Sequence, residues 1–118
     1  MSKMFYYKML CQGVLANVAA SPLTLWTNST GISLAVIRNM RFWVVTAPFS
    51  YSIHVVQSGD TAVNGNALEL WSIGATGLYR WIIPALGYYC HNESTTIQML
   101  ITAGSAYITM YGGIEYAD

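Results

Sequence analysis

The residues best suited to chemistry stand together at Cys90-His91-Asn92-Glu93. Cysteine, histidine and glutamate all ligate zinc, and a thiol beside an imidazole is the pair from which cysteine nucleophiles are made. The spacing argues against both uses. Adjacent residues on an extended chain point to opposite sides, and no second CxxC or HxxxH supplies the missing ligands. A nucleophile also needs its base and an oxyanion hole to meet it in space, which adjacency in sequence does not provide. The remaining titratable groups of this kind, Cys11, His54, Asp60, Glu69, Glu115 and Asp118, are scattered. Asp60 and Glu69 could be nominated as a glycosidase pair, but Asp60 beside Ser58-Gly59 reads as a turn cap and Glu69 as the wet face of a strand. There is no GxGxxG, Walker loop or GxSxG. No catalytic set, metal site or cofactor is expected, and the chain reads as something other than an enzyme.

Composition narrows the alternatives. The 118 residues suit one domain, 54% are apolar, and only 8% are charged, with five Lys plus Arg balancing five Asp plus Glu. An average soluble domain has about 25% charged residues. No charge lies between Lys8 and Arg38 or between Glu93 and Glu115. Such a surface carries little repulsion to keep copies apart, so much of it is expected to meet other protein. Three separate arginines give no electrostatic footprint for nucleic acid. The N-terminal MSKMFYYKML lacks a proper apolar core and cleavage site, so it does not read as a signal peptide. Cys11 and Cys90 could form one disulfide; without a sign of secretion, two buried thiols is the plainer reading.

The elements that must position these residues are strands. The uncharged run FWVVTAPFSYSIHVVQSG, residues 42–59, is long enough for a membrane helix, but Pro48 breaks it. Phe49, Tyr51, Ile53 and Val55 alternate with Ser50, Ser52 and His54, the period of a half-buried strand. No membrane contact is expected. Strands are predicted at 5–11, 23–27, 34–45, 49–57, 67–73, 78–83, 96–102 and 106–116, with a short helical candidate at 13–20. Turns are predicted at 28–31, 58–60, 64–66, 73–77, 84–87 and 103–105, and Ala47-Pro48 reads as a turn or edge between two strands. Ile97, Met99, Ile101, Ile108 and Met110 fall on core faces, while Tyr107 and Tyr111 point outward. In 34–45 the alternation fails and both faces read as covered. The expected fold is all-β: a single antiparallel β-sandwich, jelly-roll-like, of about eight strands, with residues 1–10 a candidate arm.

Four tryptophans and nine tyrosines remain. Aromatics are enriched and charges depleted at interface cores, and this chain has both biases. Phe5, Tyr6, Tyr7, Trp26, Trp43, Trp71, Trp81, Tyr107 and Tyr111 are therefore the candidate interface residues, with some tryptophans expected to fill the core instead. A carbohydrate platform is the other use of exposed rings.

The order of the pieces resembles a family of small tailed-bacteriophage virion proteins. The resemblance rests on Lys8-Met-Leu-Cys-Gln-Gly-Val-Leu15, Leu23-Thr-Leu-Trp-Thr27, Ala35-Val-Ile-Arg-Asn-Met-Arg-Phe-Trp43, Asn66-Ala67-Leu68 and the closing Tyr107-Ile-Thr-Met-Tyr-Gly-Gly-Ile-Glu-Tyr116. The chain departs from the family at Ala85-Leu-Gly-Tyr-Tyr-Cys90, where an acidic turn is usual, and in its aromatic and methionine density. The resemblance implies a β-sandwich of the virion, assembled in the host cytoplasm. A capsid decoration or cement protein that binds the major capsid protein and its own copies, as a trimer, is the reading it favours. A tail or fibre-attached adaptor, or a receptor- or glycan-binding module, is the alternative. No catalytic residues carry over.

Overall fold

The computed structural model describes residues 5–28, 32–57, 59–63, 65, 67–82, 88–90 and 95–116, without the side chains of Phe5, Ser33, Leu68, Glu69, 81–82 and 88–90. Two long strands organise it: β3 (Ile32–Val56) and β7 (Thr96–Tyr116). Around them lie β1 (Phe5–Asn17), β2 (Leu23–Thr27), β4 (Ala67–Ile73), β5 (Gly77–Ile82) and β6 (Tyr88–Cys90). All belong to one antiparallel sheet ordered β1-β7-β3-β4, with β2 also on β7, and β5 and β6 also on β3.

The all-β expectation holds, but no second, separate sheet exists among the described residues. A layered core arises instead because the long strands bend. Phe42 and Tyr51 are nine positions apart on β3, which would separate them by about 30 Å on a straight strand. Their ring centroids are 5.2 Å apart, and Phe49 stacks on Tyr51 at the same distance. Beta3 must therefore fold back on itself. In the first half, β3 residues 32–46 pair with β7 residues 105–116; in the second, residues 50–56 pair with 96–103. Beta1, β5 and β6 widen the first half, and β2 and β4 the second.

The corner explains two misread turns. Ala47-Pro48 and Ala103-Gly104-Ser105 read as breaks between separate strands, yet they sit opposite one another at the register shifts between Thr46 and Ser50, inside continuous strands. Both strands bend together, so the ladder continues through the bend. Gly104 has φ +77, and a Cβ there would strike the carbonyl oxygens of Thr46 and Pro48 and come within 2.9 Å of Phe49 Cα. Only glycine meets both demands. The helical candidate at 13–20 is likewise replaced: β1 runs to Asn17, whose side chain accepts from the Ala20 N–H at 2.9 Å and starts a single 3-10 turn, Val18–Ala20. Sheet pairing with β7 outweighs a weak local preference.

The inner faces carry Met40, Phe42, Val44, Ile108, Met110 and Ile114 from the first half and Phe49, Tyr51, Ile53, Ile97, Met99 and Ile101 from the second, all buried. Each such side chain stabilises the fold by roughly 1.5–3 kcal/mol through removal from water.

Candidate functional site

Alternation that sends Phe42, Ile108 and Val44 inward sends their neighbours to the opposite face of the first half. There the register aligns one side chain from each of four strands: Leu15 opposite Tyr107, Tyr107 opposite Trp43, and Trp43 opposite Leu78. Their exposures are 44%, 40%, 57% and 81% in that order, so a row of large apolar groups crosses the sheet in water. The Trp43 and Tyr107 rings lie 5.9 Å apart, tilted by 47°. Both faces of 34–45 were expected to be covered; within this chain the outer face at Trp43 and Val45 is open. Three consecutive buried residues, Ala35, Val36 and Ile37, instead mark a register shift before Asn39.

A second row follows one step along the strands. Arg41 stands opposite Thr109 on β7 and opposite Arg80 on β5. Its guanidinium lies over the Tyr111 ring, 5.3 Å from the centroid, and Tyr7 stacks on Tyr111 at 6.4 Å with the rings nearly parallel. The Gly13 N–H donates to Thr109 Oγ1 at 2.9 Å. Between the two rows lies an open concavity of about 350 Å³, lined by Trp43, Tyr107, Leu78, Arg41, Thr109 and Gly13 with Phe42 beneath.

The other candidates are dispersed. Tyr6 meets Tyr116 edge-on at 5.7 Å. Trp26 packs against the core from β2, and its indole Nε1 is buried without a partner among the described residues. Trp71 is exposed on β4 opposite Tyr51. Phe5 and Trp81 are placed by their backbones, opposite Glu115 and Met40, and their side chains are outside the described set. Residues 5–9 of the expected arm pair with β7. Of the chemical candidates, His91 and Glu93 lie outside the described residues, and Asp60 sits on an exposed loop, its N–H donating to the Gln57 carbonyl at 3.0 Å. His54 is fully buried with an imidazole Nε2 2.7 Å from Ser52 Oγ. No group of three or more His, Cys, Asp or Glu able to hold a metal occurs among the described residues. Asn28, at the predicted turn 28–31, is buried and donates its backbone N–H to the Thr95 carbonyl.

Cys11 and Cys90 do not meet. Beta1 and β6 are separated by β7 and β3, which at about 4.8 Å per strand puts the two backbones some 14 Å apart, beyond the roughly 7 Å a disulfide spans. Cys11 is a free thiol whose Sγ lies 3.9 Å from the Ile108 carbonyl, and burial pushes its pKa from 9.0 to about 11.

No protein-family model matches the chain, and no curated protein matches it at a significant level. A solved structure does share its fold. It is a protein of the Bacillus endospore appendages, described as forming "a novel family of disulfide-linked pili". The similarity covers 99% of this chain and 91% of that one, with a TM-score of 0.53 and 15% sequence identity. At that identity the likeness speaks for the architecture.

Sequence reasoning placed Tyr107 and Tyr111 on outward faces and named Trp43 as a candidate interface residue, but missed Leu15, Leu78, Arg41 and Arg80 as their companions. The signal available was the match between Arg41-Phe-Trp43 and Leu78-Tyr-Arg80, two apolar-flanked arginine triplets that antiparallel pairing superposes in reverse.

Proposed function

We propose that the protein is a non-enzymatic structural subunit that works by burying its aromatic sheet face against neighbouring subunits, specifically as a decoration or cement protein on a phage head. The observation that carries this reading is the exposed row Leu15, Tyr107, Trp43 and Leu78, one residue from each of four adjacent strands. Rows of this size belong at contacts, because an uncovered apolar patch of several hundred Å² is a standing invitation to association. A stable interface takes about 800 Å² per partner, roughly an eighth of the chain's 6453 Å² surface, and the first-half face is the part with the composition to supply it. The architectural likeness to an appendage protein is in keeping with a structural subunit, and the phage setting rests on the sequence resemblance. A trimer remains the preferred assembly.

The test is the protein's copy number in purified particles. A number that scales with the head lattice supports cement. A number matching the tail's symmetry supports the tail or fibre adaptor, and absence from particles removes the virion reading. A glycan-binding module is the second reading, favoured by the Trp43 and Tyr107 walls of the concavity. It requires saccharide binding by the isolated protein that Trp43→Ala abolishes.

A further inference from the structure

Resting on the structural-subunit reading, we infer that the concavity on the first-half face receives the exposed loop 59–63 of a second copy. The Asp60 carboxylate is held by Arg41 and Arg80, and Val63 packs against Trp43 and Leu78. Two arginines directly opposite one another on adjacent strands repel, an arrangement that costs stability in the isolated sheet. Neither has a carboxylate partner among the described residues, and Arg41 is drawn away over Tyr111. Positive charge is thus gathered beside an apolar hollow with no carboxylate of the described residues paired to it.

The chain carries the complement elsewhere. Asp60 stands on an exposed loop three residues from Val63, itself 52% exposed, so the same loop carries a carboxylate and an aliphatic group at the surface. That loop follows the end of β3 in the second half, which lies against the inner face of the first; the arginines are on the outer face, across the sheet. One copy cannot close the pair on itself. Loop and hollow are different surfaces, so the contact is head-to-tail: it forms a ring if the rotation closes, such as a trimer, and a filament if it does not. Desolvation beside Trp43 and Leu78 strengthens the ion pair relative to one in open water.

Sedimentation velocity of the full chain across a concentration series tests this. The wild type is expected to associate, and less at about 0.5 M salt, where screening is strong. Arg80→Glu and Asp60→Lys, both at exposed positions, are each expected to weaken association at least about tenfold, and the double variant to recover most of it. Leu78→Glu, at the most exposed apolar position, is expected to abolish association while leaving the circular dichroism spectrum unchanged. Association that ignores both charge reversals, or a double variant no better than either single one, overturns the assignment while the structural-subunit reading stands. A chain that stays monomeric at every concentration, yet binds purified capsids, also overturns it. A monomer that binds no particle component removes both.

Discussion

Both halves of the sheet are built on the same two strands, yet their outer faces are opposites. In the first half the outer side chains are Leu15, Tyr107, Trp43, Leu78 and Arg41, large and open to water. In the second they are mostly short or polar, among them Ser50, Ser52, His54, Gln98 and Thr102, although Leu70, opposite Ser52 on β4, is 66% exposed; the polar set has hydrogen bonds of its own: Ser50 Oγ to Ser72 Oγ at 2.9 Å, Ser52 Oγ to His54 Nε2 at 2.7 Å, and Gln98 Nε2 to Thr96 Oγ1 at 2.9 Å. His54 and Ser52 are already buried within the chain. One outer face is mostly polar, with Leu70 its large exposed apolar group, and the other carries a row of four such groups across adjacent strands, apolar area that only a neighbour can remove from water. Asymmetry between faces that share a backbone is a sign of selection on the surface, since strand pairing would tolerate either composition.

The strongest way to break the comparison is to break the corner that creates two halves. Gly104→Ala demands a positive φ of an L side chain and drives its Cβ into the backbone of residues 46–49, so the chain is expected not to fold, read as loss of cooperative thermal unfolding. Phe42→Ala, beneath the open face but inside the core, is expected to cost about 3–5 kcal/mol in urea denaturation. Ser52→Ala removes a hydrogen-bond partner of a buried imidazole and is expected to cost about 1–3 kcal/mol. On the open face, Trp43→Ser is expected to change monomer stability by no more than about 0.5 kcal/mol, while the same substitution at a buried ring would cost several. If Trp43→Ser destabilises as much as Phe42→Ala, the first-half face is not the open surface described above.

A smaller effect is expected from Cys11. Its thiol is favoured over the thiolate in the folded chain, so its contribution is full below the ordinary thiol value of 9.0 and is lost as pH rises through about 11. Stability should decline over that window more steeply in the wild type than in Cys11→Ala, measured by chemical denaturation of both. Alkylation of the native thiol at pH 8 should be correspondingly slow.

How much of this was written in the sequence depends on the range of the interaction. Strand positions such as Leu23–Thr27 and Ala67–Ile73 were legible because alternation and turn residues are local. The inward set Ile97, Met99, Ile101, Ile108 and Met110 was legible for the same reason. Pro48 and Gly104 were misread because proline and glycine mark a bend and a reversal alike; which one occurs depends on whether the partner strand bends at the same place. Beta6 was missed, since three residues carry too little pattern. The four-strand row was invisible because register between residues 15, 43, 78 and 107 is set by long-range pairing.

The sheet order has a consequence for biosynthesis. Beta7 follows every other described strand in the chain, yet it sits between β1, the first of them, and β3. A nascent chain leaving the ribosome therefore holds β1 and β2 without their pairing strand until the 21 residues of β7 emerge to bridge β1 to β3, so the long-range contacts of the sheet form late and the waiting apolar strands are exposed to association on crowded polysomes.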